Sequence, residues 1–171
     1  MIFIGLGANL PSPTHGGPLN TLKACLKRLN SGDIRVVNTS AWYESAPVPM
    51  SDQPWYINGV AQIKTDLDAR TLLTRLLEVE HAFGRVRDEA NAPRVLDLDL
   101  IAYQDQIIED TGKIEDKPFC IPHPRMHERV FVLLPLKDLQ PDWQHPKLNI
   151  SVSELIARLP KDQIIRPLTQ E

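Results

Sequence analysis

Apolar positions along the chain repeat with two periods, and each period predicts a kind of element. Residues 2–6 are a short apolar run ending at Gly7, the mark of a buried strand. Leu19, Leu22, Leu26 and Leu29 recur at spacings of three, four and three, which puts them on one helix face. Ser31-Gly32 follows as a stop signal. Residues 34–43 are rich in β-branched and aromatic side chains and predict a strand, as do residues 56–65. Between them, residues 45–54 carry Pro47, Pro49 and Pro54, which excludes regular structure. Asp66 or Asp68 can cap a helix reaching Phe83, with Leu72, Leu73, Leu76, Val79 and Phe83 on one face. Gly84 ends it.

Residues 85–93 form a charged loop, and 95–103 a strand with strict alternation. A polar segment, 104–117, leads to a proline- and histidine-bearing loop at 121–125. A helical pattern then spans 126–139, and Ser151 or Ser153 starts a short helix ending at Leu159. The polar end, 161–171, is expected to be partly disordered. The core order is β-α-β-β-α-β. It predicts an α+β fold: a ferredoxin-like sheet with helices on one face, followed by C-terminal helical and loop additions. One domain over 1–171 is expected.

Composition narrows the class. At 171 residues, 42% hydrophobic and 24% charged, the chain can bury a core without disulfide or metal. Its 19 basic and 22 acidic residues give a net charge of −3, so no basic excess points to nucleic acid or a membrane surface. Cys25 and Cys120 have no CxxC spacing, which suits a reducing compartment and excludes a disulfide scaffold or zinc finger. No long apolar run predicts a transmembrane helix. The first residues lack a basic stretch and read as a mature cytoplasmic N-terminus.

The sharpest chemical feature is Leu96-Asp97-Leu98-Asp99-Leu100. On a strand the leucines take one face and both aspartates the other, ~6.6 Å apart along the chain. Such a pair favours a divalent cation or a shared proton, and hard oxygen ligands suit Mg²⁺. The competing reading is a solvated polar strand face. Arg85, Arg87 and Arg94 flank the strand, and guanidinium forks match phosphate oxygens. Glu80 interrupts an apolar stripe, where it either orients an arginine or sits at the stripe's edge. His123 and Arg129 can both donate to phosphate, whereas His127 falls within a helical segment and is the blander histidine. Gly5-Leu6-Gly7 lacks the rest of a phosphate-loop motif and reads as close backbone packing.

Together these motifs resemble the 6-hydroxymethyl-7,8-dihydropterin pyrophosphokinase family of folate biosynthesis. The resemblance rests on Ile4 to Asn9, Asp52-Gln53-Pro54 with Tyr56-Ile57-Asn58, Glu80 with Gly84-Arg85-Val86-Arg87, Pro93 to Asp99, and Pro122-His123-Pro124 with Met126, Arg129 and Phe131. It implies transfer of the pyrophosphoryl group of ATP to the pterin hydroxymethyl group, with release of AMP. By that resemblance Asp97 and Asp99 hold two Mg²⁺ ions, and Arg85 and Arg94 stabilise the transferring group. Glu80, Arg87, His123, Arg129 and the Leu100 backbone belong to the ATP side. The pterin stacks between Tyr56 and Phe131, with Asn58 and the backbone of Ser45, Ala46 and Val48 reading its edge. A cytoplasmic monomer, with no nucleic acid or membrane partner, is implied.

The chain departs from the family pattern at Asn91-Ala92, where an aromatic-glycine pair usually precedes the Pro-Arg. A related enzyme with a changed heterocyclic acceptor, a non-catalytic nucleotide- or pterin-binding module, and a structural ferredoxin-like domain are the alternatives.

Overall fold

A computed structural model describes residues 1–85 and 92–169. The elements run β1 (Ile2–Ala8), α1 (Pro18–Leu29), β2 (Ile34–Thr39), β3 (Tyr43–Ser45), β4 (Tyr56–Thr65), α2 (Ala69–Ala82) and β5 (Asp97–Tyr103). Then come β6 (Ile108–Ile114), β7 (Lys117–Ile121), a 3₁₀ turn (Met126–Glu128) and α3 (Val130–Leu139). The chain continues through β8 (Gln144–His145), β9 (Ile150–Ser151), α4 (Val152–Ala157) and β10 (Ile165–Pro167).

The main sheet has the order β10-β3-β4-β1-β5, with β2 pairing the other end of β4. Each pairing is antiparallel. Counting β2 and β3 as one interrupted strand, this is the ferredoxin-like arrangement that the order of elements predicts. Alternation along β1 sorts the two faces. Ile2, Ile4, Leu6 and Ala8 pack with Leu96, Leu98 and Leu100 under α1 and α2. Phe3 points the other way, joining Val60 and Ile101 against Leu133 and Leu136 of α3 and Leu155 of α4.

The second face is therefore covered by helices over part of its area, rather than left open. The site occupies the rest of that face, beside α3. Three further expectations are corrected. Residues 34–43 are two strands, because Ser40 leaves the sheet line and binds Val60 twice: its N–H donates to the Val60 carbonyl and its Oγ accepts from the Val60 N–H. Alternation in β5 is broken by a bulge beside Phe3 and Ile4, which leaves Ile101 and Ala102 both in the second core. The polar stretch before the histidine loop is not a connection but a hairpin, β6–β7, turning at Glu115-Asp116.

The helical pattern at 126–139 is also divided. A 3₁₀ turn precedes α3, and Arg129 between them is extended. Within the C-terminal segment expected to be partly disordered, Ile165–Pro167 form β10, which adds to the sheet edge on β3. No helix among the described residues is long and apolar enough to cross a membrane.

Candidate active site

A cleft of about 280 Å³ opens on the second face. Its floor is the backbone of Gly5 and Gly7, which stand opposite Asp99 and Asp97 of β5 on one side and Val60 and Asn58 of β4 on the other. A Cβ on Gly7 would lie 2.9 Å from Asn58 Oδ1. The glycine that reads as close packing is thus what lets the Asn58 amide lie beside the carboxylates.

The end of α2 builds the charged wall. The Gly84 N–H donates to the His81 carbonyl and the Arg85 N–H to the Glu80 carbonyl, with Gly84 at φ +90°. This Schellman turn folds Arg85 back over Glu80, the residue it always opposes in that motif. Here an ion pair replaces the usual apolar contact. The Glu80 side chain is fully buried. Its Oε1 accepts from the Leu98 N–H at 2.6 Å, tying α2 to the edge strand β5. Arg85 also donates to Asp97 Oδ1 at 3.1 Å and to Asp116 Oδ2 at 2.6 Å.

Lys117, at the start of β7, was not singled out by the sequence. Its Nζ lies 2.5 Å from Asp97 Oδ1, 3.0 Å from Asp99 Oδ1 and 3.2 Å from Glu80 Oε1. Burial pushes the Glu80 carboxyl above the usual carboxylate range, against the opposing pull of Lys117 and Arg85. Burial also works against the charge on Asp99, but Lys117, His123 and Arg129 together hold its carboxyl below that range. Likewise, against the cost of burial, Asp99, Asp97 and Glu80 raise the Lys117 ammonium above its ordinary value.

The loop entering β5 is held by Asn9. Its Oδ1 accepts from the Arg94 N–H at 2.8 Å, and the N–H groups of Asn9 and Leu10 donate back to the Arg94 carbonyl. The Asn9 Nδ2 donates to Gln53 Oε1 and the Pro54 carbonyl. One buried asparagine therefore clasps three segments at the cleft rim.

At the opposite end, Asn58 Nδ2 donates to Ser45 Oγ at 2.6 Å. The Tyr56 hydroxyl reaches Gln53 Oε1 and the Ala92 carbonyl, each at 3.3 Å. Phe131 lies near the N-terminus of α3, with the Arg129 guanidinium 5.6 Å from its ring centre. Gln163 fixes this corner: its Oε1 accepts from the Val130 N–H and its Nε2 donates to the Glu128 carbonyl. His123 Nδ1 accepts from the Arg125 N–H, which leaves Nε2 to carry the proton, 4.0 Å from Asp99. Burial lowers the His123 pKa, favouring the neutral ring.

Of the residues singled out beforehand, Arg85, Arg94, Asp97, Asp99, His123, Arg129, Ser45, Ala46, Val48, Tyr56, Asn58 and Phe131 line the cleft. Glu80 lies beneath it as the partner of Arg85, which decides between its two readings. The Leu100 side chain packs in the core under the helices, and Leu100 is not among the lining residues. Arg87 and Asn91 lie outside the described residues. Lys117 and Gln163 were missed, and Asn9 and Gln53 were read as parts of motifs without a role of their own. For Lys117 a signal existed: Lys117, Phe119 and Ile121 alternate on one strand face.

The two carboxylates suit a hard cation, since oxygens from both lie within hydrogen-bond reach of one point, the Lys117 nitrogen. No group of three or more His, Cys, Asp or Glu side chains among the described residues could hold a metal alone. Mg²⁺ is commonly bound through one or two carboxylates, keeping waters and taking phosphate oxygens as further ligands.

Paired carboxylates facing several guanidinium groups in one cleft are the charge pattern of a site for a metal-bound phosphate ligand. Comparison makes it specific: residues 3–141 match the family described as 7,8-dihydro-6-hydroxymethylpterin-pyrophosphokinase, and the chain belongs to it. It is 35% identical over 165 residues to the 2-amino-4-hydroxy-6-hydroxymethyldihydropteridine pyrophosphokinase of Haemophilus influenzae, covering 96% of each chain. The Synechocystis protein of the same name is 38% identical over 91% of this chain and 74% of its own length. Against the folic acid synthesis protein fol1 of Pneumocystis carinii, identity is 34% over 98% of this chain, which spans only 21% of that protein. The solved Plasmodium falciparum HPPK-DHPS shares the fold, with a TM-score of 0.72 at 15% identity, over 92% of this chain and 42% of that one.

Proposed function

We propose that the cleft carries its family's reaction: ATP donates a pyrophosphoryl group to the hydroxymethyl group of 6-hydroxymethyl-7,8-dihydropterin, and AMP leaves. The hydroxymethyl oxygen bonds to the β-phosphorus as the bridge to the α-phosphate breaks, and the hydroxyl proton is lost. Such a transfer needs positioning and charge neutralisation more than a protein nucleophile. The observation that carries the reading is the meeting, in one cleft, of Asp97 and Asp99 with Arg85, Arg94, His123 and Arg129.

Asp97 and Asp99 would hold two Mg²⁺ ions, which would supply charge neutralisation at the triphosphate and polarise its phosphoryl oxygens. Arg85, anchored by Glu80, and Arg94, positioned by Asn9, face the transferring group. His123, through its Nε2–H, and Arg129 take other phosphate oxygens, a role that the family resemblance also gives to Arg87. The backbone of Leu100 borders the adenine. Tyr56 and Phe131 supply apolar faces for a flat ring, and Asn58 with the backbone of Ser45, Ala46 and Val48 reads its hydrogen-bonding edge. We read the protein as a single-domain cytoplasmic monomer; the one continuous sheet that joins β1 to β10 supports the single domain.

The test is AMP release from ATP and Mg²⁺ with and without the pterin. Pterin-dependent AMP supports the reading. Binding of both substrates without AMP would point to a silent binding module or a changed acceptor.

A further inference from the structure

The hairpin β6–β7 delivers one side chain into the cleft that the proposed reaction does not use. Lys117 is 6% exposed, although lysine is rarely buried without a dedicated partner. All three of its ammonium hydrogens have a carboxylate within reach: Asp97, Asp99 and Glu80. The hairpin is braced so that the lysine stays there. Phe119 and Ile121 sit in the core beneath it, His81 Nε2 meets Glu115 Oε2 at 2.7 Å, and Arg70 meets Asp110 at 2.8 Å. Asp116, the neighbouring turn residue, is taken by Arg85.

We propose that Lys117 is a resident cation of the aspartate pair: it and a divalent metal compete for the same carboxylate oxygens, so metal binds tightly only when phosphate arrives to receive the ammonium. This rests on the reading of Asp97 and Asp99 as the metal ligands. The geometry sets up the competition at the Oδ1 atoms of both aspartates. A Mg²⁺ ion bonds oxygen at ~2.0–2.1 Å and accepts no neighbouring cation on the same lone pairs. Lys117 already holds Asp97 Oδ1 and Asp99 Oδ1 at 2.5 and 3.0 Å. Its flexible four-carbon stem lets the ammonium move while the backbone of β7 stays in place. Glu80, 3.2 Å away and fully buried, remains as an anchor on the far side. Lys117 is a positioning residue in this scheme: it keeps the carboxylates convergent and sets the order in which cation and nucleotide enter.

The experiment measures Mn²⁺ binding to nucleotide-free protein by electron paramagnetic resonance of the unbound ion. Lys117→Met is expected to bind Mn²⁺ about tenfold tighter than wild type, the equivalent of one modest ion-pair competition. Lys117→Gln, which keeps a donor but no charge, serves should the methionine variant not fold, and is expected to shift the same way. Lys117→Arg keeps the charge and is expected to stay as weak as wild type. Mn²⁺ is also expected to raise the melting temperature of the Met or Gln variant more than that of wild type. Adding Asp99→Asn to the Met or Gln variant is expected to abolish the gain. Equal Mn²⁺ affinity in wild type and the neutral variants overturns the role of Lys117 and leaves the aspartates as ligands. Tight binding that survives Asp99→Asn, or no binding in any variant, overturns the metal reading and this inference with it.

Discussion

Glu80 illustrates how one carboxylate serves both fold and cleft. It accepts from the Leu98 N–H while facing Arg85 and Lys117. Removing it takes one carboxylate from each of two buried cations and leaves the Leu98 N–H without its acceptor. Glu80→Ala is therefore expected to cost about 3 kcal/mol or more, read from the urea midpoint, and to lower pterin-dependent AMP release as well. An unchanged midpoint would contradict the pairing. Arg94 differs, since its backbone is held by Asn9 while its side chain lines the cleft. Arg94→Ala is expected to lower kcat at least tenfold, about 1.4 kcal/mol of barrier, with little change in KM for ATP. Equal loss in both would mean ground-state binding. Asp97, Asp99, Arg85 and Arg94 were legible as residues because charge at period two on a strand, and arginine beside it, are written in the chain itself. Lys117 was not, because its alternation with Phe119 and Ile121 spans only three positions after a polar stretch, and burial of a lysine depends on partners that are distant in the chain.

Helix α2 and the β8–β9 hairpin show what elements contribute. Asp68 caps α2 by accepting from the Thr71 N–H at 2.8 Å. Asp68→Ala is expected to lower stability by about 1 kcal/mol with kcat unchanged, since the cap lies at the helix end away from Arg85. His145 ends β8, and its Nδ1 accepts from the N–H groups of Lys147 and Leu148 in the turn that follows. That geometry requires an unprotonated Nδ1. Burial, with His127 and Lys147 nearby, lowers its pKa to about 4. The unfolded chain binds the proton at about 6.5, so the stabilisation is whole above that value and is lost as pH falls toward about 4. Relative to His145→Asn, which keeps an acceptor but cannot titrate there, wild type is expected to lose on the order of 1–3 kcal/mol across that window once solvent screening is allowed for. Parallel stability curves would remove the assignment. At this scale β4, α2 and β1 followed from periodicity. The β6–β7 hairpin did not, because Asp110, Gly112 and Glu115 interrupt any alternating pattern.

Over the whole molecule, the C-terminal segment closes the sheet edge and braces the cleft. Ile165–Pro167 pairs with β3, and Gln163 bonds the backbone at Glu128 and Val130, on either side of Arg129. Gln163→Ala is expected to cost about 1–2 kcal/mol by chemical denaturation and to raise KM for both substrates, because Arg129 and Phe131 lose their brace. A KM unchanged for both would limit Gln163 to stability.

The sequence by itself determined the α+β order of elements, the burial of β1, the aspartate pair and the arginines around it. These follow from local periods and spacings, which neighbours in the chain impose on one another. Only the tertiary structure decided that helices cover both sheet faces, that Ser40 breaks a strand, that Asn9 gathers three loops and that Lys117 sits among three carboxylates. Each depends on which distant segments meet, and the free energy of a buried charge is set by the partners that folding brings to it.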